Sequence, residues 1–127
     1  MSEEAALAAV ITAMRAVEPA AYSLGQLKAL TALPTSYNEV HVFSLLPTAL
    51  RADGVSATGR YGVLVRSVAE RYTNAQRMRQ KAKDALLYKT VTVDGVESGG
   101  IAPAIGDEPI GPDDGWFSGV IEFSFSV

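Results

Sequence analysis

The sequence predicts an α+β fold in which two helices pack on one face of a mainly antiparallel sheet of about four strands. Three segments carry this prediction. Residues 60–68 alternate and are rich in β-branched side chains, residues 75–87 repeat apolar side chains at helical spacing, and residues 117–127 alternate between apolar and small polar side chains. The chain has 127 residues, most simply one domain (1–127). A chain of this size buries about two thirds of the surface that it exposes when unfolded.

The first helix is predicted to run from about Ser2, a favourable N-cap residue, to Pro19, which cannot continue a helix. Glu3 and Glu4 suit the positive end of the helix dipole. The buried stripe of this helix is predicted to consist of Leu7, Val10, Ile11, Met14 and Val17. Residues 20–38 follow, and their mixed apolar spacing is compatible with either a short strand or irregular structure.

Two strands joined by a long connection come next. Residues 39–46 alternate, and the apolar side chains on both of their faces suit a strand that is covered on both sides. Residues 61–68 alternate as well and form the second strand. Residues 47–60 exceed the length of a tight hairpin turn. They are predicted to be a long loop, either a projecting arm or a loop with a helical turn near residues 48–52.

The second helix begins after residue 72 in this interpretation, with Thr73 as N-cap and Gln76 completing a capping box. Its buried stripe is predicted to consist of Ala75, Met78, Ala82, Ala85 and Leu86. Four cationic side chains flank the stripe. They are Arg79 and Lys83 on one side and Arg77 and Lys81 on the other. We therefore expect a helix that packs its small apolar stripe on the sheet and holds basic groups outward.

The C-terminal third combines a short strand at residues 90–93, a long segment at 97–115 and a closing strand at 117–127. Glycine, proline and acidic residues dominate the segment 97–115, which predicts a long, mobile surface loop. The closing strand alternates strictly. One face holds Phe117, Ile121, Phe123, Phe125 and Val127, and the other holds Ser118, Glu122, Ser124 and Ser126.

Charge is distributed unevenly along a chain whose net charge is −3. Residues 60–93 carry 8 basic and 2 acidic side chains, whereas residues 94–127 carry 7 acidic side chains and no basic one. Two interpretations remain open. In the first, both regions act within one chain: the basic helix and the acidic region face each other, or each simply faces solvent on a different side. In the second, the basic surface of one copy meets the acidic surface of a neighbouring copy, as a head-to-tail ring requires. Specific nucleic-acid binding is not indicated, because the helix cations lack interleaved aromatic residues.

No set of residues has the spacing of a catalytic or metal site. The chain has no cysteine, and its only histidine, His41, lies within a predicted strand with no nucleophile motif elsewhere. The acidic pairs at 107–108 and 113–114 lack the spacing of a calcium loop and are interpreted as solvated. Trp116 is interpreted as a core or rim anchor. The sequence therefore predicts a protein that is not an enzyme and needs no cofactor or metal ion.

The N-terminal region does not resemble a targeting segment. Glu3 and Glu4 stand where a signal peptide requires basic residues. The apolar run at 5–11 is far shorter than the roughly 20 residues of a membrane-spanning helix. We therefore expect a soluble, unexported protein that does not interact with membranes.

The order of elements, and three local patterns within it, carry a resemblance. The patterns are the apolar helix that ends at Pro19, the segment Gly62–Arg66 (GVLVR) that leads into the basic helix, and residues 113–119 (DDGWFSG) that open the final strand. In these features the chain resembles the tail terminator proteins of long-tailed bacteriophages with non-contractile tails. The resemblance spans most of the chain.

The resemblance implies a homohexameric ring at the head-proximal end of the tail tube, assembled in the host cytoplasm and present in the virion. Such a ring stops tube polymerisation and provides the surface to which the filled head attaches. Its implied partners are the tail tube protein, a head completion or connector protein and the tape measure protein, while DNA passes through the lumen without specific binding. The family has no catalytic residues to carry over.

This interpretation defines two candidate surfaces. The candidate subunit interface consists of Arg77, Arg79, Lys81, Lys83, Asp107, Glu108, Asp113 and Asp114. The candidate lumen face, expected to be polar and poor in cations, consists of Ser118, Glu122, Ser124 and Ser126. Two alternatives remain: another head–tail connector or minor tail protein, and a stand-alone adaptor or ligand-binding domain with a pocket lined by Trp116, Phe117 and Tyr22.

Overall fold

The computed structural model describes residues 3–45 and 59–127. In chain order its elements are α1 (Glu3–Arg15), β1 (Ala21–Tyr22), α2 (Leu24–Lys28), β2 (Ser36–Leu45), β3 (Arg60–Ala69), α3 (Tyr72–Leu86), β4 (Thr92–Val93), β5 (Val96–Glu97), β6 (Ala102–Pro103), β7 (Glu108–Asp113) and β8 (Trp116–Ser126). The predicted α+β class is confirmed, with helices packed on a mainly antiparallel sheet. The predicted loop 47–60 lies outside the described residues except for its last two positions.

The main sheet has six strands among the described residues, in the order β1-β2-β3-β8-β6, and β7 also pairs with β8. β2 pairs antiparallel with β3 over its whole length, and β3 pairs in the same way with β8. β1 runs parallel to β2 and pairs only with Asn38 and Glu39. β8 therefore lies inside the sheet, between β3 on one side and both β6 and β7 on the other.

One face of the sheet packs against α1 and α3 and forms the main core. Val63 and Val65 of β3 are fully buried there, and Phe123 of β8 is nearly so. Burial of each such side chain stabilises the fold by about 1.5–3 kcal/mol. The predicted stripe of α3 is confirmed, because Ala75, Met78, Ala82, Ala85 and Leu86 are all buried.

α1 follows its predicted stripe except at the C-terminal end. Val10, Ile11 and Met14 are buried, and Leu7 is partly buried. Val17 is 38% exposed, so its predicted burial was wrong. α1 ends at Arg15, and the turn that follows removes Val17 from the helical phase that would have pointed it at the core.

The start of α3 also differs from the prediction. The helix begins at Tyr72, so Thr73 already lies in the first turn and the predicted capping box at Thr73 and Gln76 does not form. The Gln76 side-chain amide instead donates to the Tyr72 hydroxyl oxygen at 3.1 Å. Among the helices in the described residues, none is long and apolar enough to span a membrane.

Residues 20–38, which the sequence left open between a short strand and irregular structure, contain β1, α2 and the start of β2. A capping box does form here. The Ser23 hydroxyl accepts from the Gln26 backbone N–H at 3.3 Å, and the Gln26 side-chain oxygen accepts from the Ser23 backbone N–H at 2.9 Å. Leu27 of α2 is thereby placed against the far face of the sheet, in a second small apolar cluster.

The prediction of a long loop at 97–115 was wrong over much of its length. β6 and β7 lie in this segment and together form an interrupted edge strand along β8, hereafter the edge strand. Its prolines suggested a loop, but the outer side of an edge strand needs no N–H donors and tolerates them. Asp114 and Gly115, at φ 52° and 85°, form the two-residue turn that joins β7 to β8. Two positive φ angles in succession are typical of a type I′ hairpin.

Candidate assembly surfaces

The four cations of α3 lie on two different sides of the helix. Arg79 and Lys83 line a cleft of about 310 Å³ together with Pro109 and Ile110 of β7. At about 100° per residue, Arg77 lies roughly 200° around the helix axis from Arg79 and so points away from β7. Arg77 is exposed. The predicted basic surface is therefore divided into a side that faces the chain's own edge strand and a side that faces outward.

Arg79 is bound within its own chain. Its guanidinium donates to the backbone oxygen of Val120 at 3.2 Å and to the backbone oxygen of Glu108, while its Nε is buried without a partner in the described structure. Gly119 provides the space for this contact, because a Cβ there would lie 2.9 Å from the Glu108 oxygen and would meet the guanidinium. Arg79 thus links α3 to β7 and β8. From the sequence alone, this role within the chain could not be distinguished from a role at a subunit interface.

Asp113 is likewise bound within the chain. Its carboxylate accepts from the Ser118 hydroxyl at 2.9 Å and forms an ion pair with Arg66. The hydrogen bond from Ser118 and the contact with Arg66 hold the pKa of Asp113 below its ordinary value. Arg66 also lies 4.0 Å from the Glu39 carboxylate. The structure therefore brings basic and acidic groups together at this end of the sheet, in support of the intrachain interpretation for Asp113.

The other candidate acids divide in the same way. The Asp107 carboxylate accepts from the backbone N–H of Glu122 at 3.1 Å, so it holds the segment between β6 and β7 against β8. Glu108 and Asp114 are exposed. The described residues contain no cluster of three or more side chains that could hold a metal ion. Glu108 and Asp114 are thus the candidate acids that remain available to a neighbour.

The sheet face away from α1 and α3 is called the open face here. From β3 it carries Arg60, Gly62, Leu64, Arg66 and Val68, and from β8 it carries Ser118, Val120, Glu122, Ser124 and Ser126. The four polar residues of the candidate lumen face share this side, but Arg60 lies directly opposite Ser126 and Arg66 opposite Val120. The expectation of a cation-poor face was therefore wrong, because the register with β3 decides which side chains surround those of β8.

β2 completes the open face and corrects a second expectation. α1 and α3 cover one face of this strand, whereas α2 reaches only the beginning of the other face, where Leu27 packs with Tyr37. Phe43, further along that other face, is 38% exposed. His41 lies on the same face, with its Nε2 3.1 Å from the Glu39 carboxylate, as an ordinary strand histidine with a polar partner. The Phe43 ring covers Gly62, where any Cβ would collide with it. The open face is therefore mixed in character, with apolar patches between charged groups.

The adaptor pocket considered from the sequence does not form as a single site. Trp116 and Tyr22 pack against the cluster of Leu27, Tyr37 and Val68 on the open face. Phe117 points to the helix face, where its ring meets Tyr72 edge-on with centroids 5.8 Å apart. Adjacent residues on a strand point to opposite faces, so Trp116 and Phe117 cannot line one pocket from the same strand.

The two edges of the sheet differ in their capacity for strand pairing. On the β2 edge, β1 covers only Asn38 and Glu39, and the backbone N–H of Ser44 is held by the Glu3 carboxylate at 3.0 Å. The contact with Ser44 lowers the pKa of Glu3. The opposite edge carries Pro103, Pro109 and Pro112, which donate no hydrogen bond.

Comparison with known proteins identifies similar folds. No protein-family model matches the chain, and no curated protein matches it. One solved structure, which carries only a sequence identifier as its name, is similar with a TM-score of 0.66 and 14% identity over 100% of this chain and 96% of that chain. A chain from the virion of a native gene transfer agent particle is similar with a TM-score of 0.69 and 14% identity, over 95% of this chain and 92% of that chain. At this level of identity the similarity is one of fold.

Proposed function

We propose that the chain is a structural virion protein of the bacteriophage type, a tail terminator that acts without catalysis. Copies form a hexameric ring on the head-proximal end of the tail tube, stop the addition of tube subunits and offer the surface to which the head attaches. The observation that carries the proposal is the shared fold with a chain of a gene transfer agent virion, which extends over 95% of this chain and 92% of that chain. Because the similarity extends along nearly the whole of both chains, it supports a similar structural role for the two chains in their particles.

The distribution of charge supports a ring built head to tail. Arg77 and Lys81 point away from the edge strand, whereas Glu108 and Asp114 are exposed on it or beside it. A heterologous interface joins two different surfaces of the same chain, so basic and acidic groups on different sides favour closure into a ring. Arg79 and Asp113 are removed from this candidate interface, because Arg79 donates to Val120 and Asp113 pairs with Arg66 within the same chain.

The remaining surfaces fit the same proposal. The open face, with its serines and paired charges, is the surface proposed to line the passage for DNA. Its Arg66 is paired with Asp113, which reduces attraction to phosphate groups. The tail tube protein, a head completion or connector protein and the tape measure protein are the proposed partners of the ring.

A second candidate is another head–tail connector or minor tail protein. The similarity to a chain of a gene transfer agent virion supports it equally, because a connector is also a structural component of a virion. Tube binding separates the two candidates. A terminator binds purified tail tubes at their ends, saturates far below one copy per tube subunit and prevents further growth, whereas a connector leaves tube growth unchanged.

Replacement of Arg77 and Lys81 by Glu tests the proposed subunit boundary. We expect the doubly substituted chain to lose ring formation, measured by sedimentation velocity, because like charges would then face each other across the boundary. The matched control replaces Arg71 and Lys89 by Glu, which alters the net charge by the same amount at two exposed positions elsewhere. Equal assembly by both variants would remove Arg77 and Lys81 from the interface.

A further inference from the structure

Ile105 is the most exposed large apolar side chain described, at 99% relative exposure. It lies between β6 and β7, where the edge strand bulges away from β8. Pro103 pairs with Phe123 and Glu108 pairs with Val120, so the four residues 104–107 stand opposite only two residues of β8. An isoleucine in this position contributes nothing to the core of its own chain. Its apolar surface is left for another molecule.

The bulge is fixed on both sides of Ile105. The backbone N–H of Ala104 donates to the Glu122 oxygen at 2.9 Å, and the Glu122 N–H donates to the Asp107 carboxylate at 3.1 Å. Between them, Gly106 adopts φ +135° directly over the Glu122 side chain, where a Cβ would lie 2.5 Å from the carboxylate carbon. A larger residue at 106 would therefore be strained. A backbone segment that is held in place before binding loses less conformational entropy when it binds.

We propose that Ile105 is an anchor that inserts into the groove between α1 and α2 of a second copy of this chain. The proposal rests on the head-to-tail ring of the proposed function. The groove has a volume of about 290 Å³. Its apolar lining consists of Leu7, Ala8 and Ile11, and its polar lining includes Glu4, Arg15 and Gln26.

The positions of anchor and groove satisfy the geometry of such a ring. Ile105 lies on the β6–β7 edge of the sheet, whereas α1 and α2 pack at the β1–β2 edge. A head-to-tail ring requires complementary surfaces on opposite sides of one chain. Asp107 and Glu108, which follow the anchor, carry negative charge. The groove has Glu4 near the beginning of α1 and Arg15 at its end, and Arg15 remains exposed although it donates to Gln26. Charge therefore favours an orientation that places Asp107 and Glu108 at the Arg15 end of the groove, away from Glu4.

Side-chain anchoring also fits the chemistry of the edge strand. Continuous strand pairing between copies would need a row of free N–H donors on the outer edge. Pro103, Pro109 and Pro112 remove donors from this edge, so an extended sheet between copies is disfavoured. A projecting apolar side chain is an alternative that the prolines do not obstruct.

Disulfide trapping tests the contact directly, because the chain has no cysteine of its own. The variant Ile105→Cys/Ala8→Cys places one thiol on the anchor and one on an exposed position of the groove. Under mild oxidation, both as purified protein and in particles produced from the source genome, we expect a ladder of linked chains in denaturing gels. The matched control is Leu33→Cys/Ala8→Cys, because Leu33 is also an exposed apolar residue. A ladder equal to that of the control, or no ladder in either setting, would overturn the proposal.

Substitution of the anchor gives a second measurement. Ile105→Asp leaves the core intact, and we expect it to weaken self-association at least tenfold, on the order of the loss of one buried isoleucine. Leu33→Asp, which introduces the same charge, should leave association unchanged. If both variants associate equally, Ile105 is not the anchor. Tail length in cells reports on the proposed function independently, so a failure of the anchor and a failure of the terminator role give different results.

Discussion

The role of Arg79 yields a prediction about stability. In the variant Arg79→Met, the aliphatic part of the side chain remains but the donors to Val120 and Glu108 are lost. A hydrogen bond from a charged donor contributes about 1.5–3 kcal/mol when buried. Arg79 is half-buried and its Nε has no partner in the described structure, and both facts reduce the net loss. We therefore expect a decrease of about 1.5 kcal/mol in the free energy of unfolding.

Urea unfolding followed by the fluorescence of Trp116 measures this change, because Trp116 begins the strand to which β7 is fastened. The expected loss corresponds to a melting temperature lower by roughly 3–6 °C for a domain of this size. Arg77→Met is the control, and at an exposed position it should change stability by less than about 0.5 kcal/mol. Equal stability of the two variants would refute the fastening role. If Arg79→Met blocked ring formation at unchanged stability, Arg79 would belong to the subunit boundary instead.

Two further predictions concern polar groups inside the chain. The folded-state pKa of Asp113 is lowered, so its stabilising contribution is present above the pKa of the unfolded chain and is lost as pH falls through the folded value. Asp113→Asn should therefore reduce thermal stability at pH 7, and the difference from the parent should close below about pH 4; a constant difference across this range would contradict the ion pair. Asn38 is fully buried and accepts from the Ser67 hydroxyl at 2.7 Å. Ser67→Ala should lower the free energy of unfolding, measured in urea, by about 1–3 kcal/mol, because the Asn38 side-chain oxygen loses its donor. Asn38→Val should then cause a smaller loss in the Ser67→Ala variant than in the parent protein. Additive losses would refute the coupling between these two side chains.

Elements with a clear period could be predicted from the sequence. The stripe of α3 and the alternation of β3 and β8 follow burial on one face, and the structure places Met78, Val63 and Phe123 in the core as that pattern requires. Boundaries were less predictable. The N-cap of α3 is Arg71, two residues before the predicted Thr73, since capping depends on backbone geometry as well as on residue type.

The edge strand was missed because its composition suits a loop equally well. The dipeptide Asp114-Gly115 was the available signal, since it is typical of a two-residue hairpin turn and would have predicted a strand before Trp116. The candidate interface was only partly predictable for a different reason. Arg79 binds a residue 29 positions away, and Arg66 binds Asp113 at a separation of 47, distances at which local patterns contain no information. Charge alone therefore could not separate groups used within the chain from groups left for a neighbour.

The measurement that tests the central claim most directly is disruption of this reading frame in its source genome, followed by imaging of the particles by negative-stain electron microscopy. A protein that stops tube growth predicts abnormally long tails without heads. Tails of normal length beside unattached filled heads would contradict the terminator role and favour a connector. Intact infectious particles would contradict any structural role in the virion.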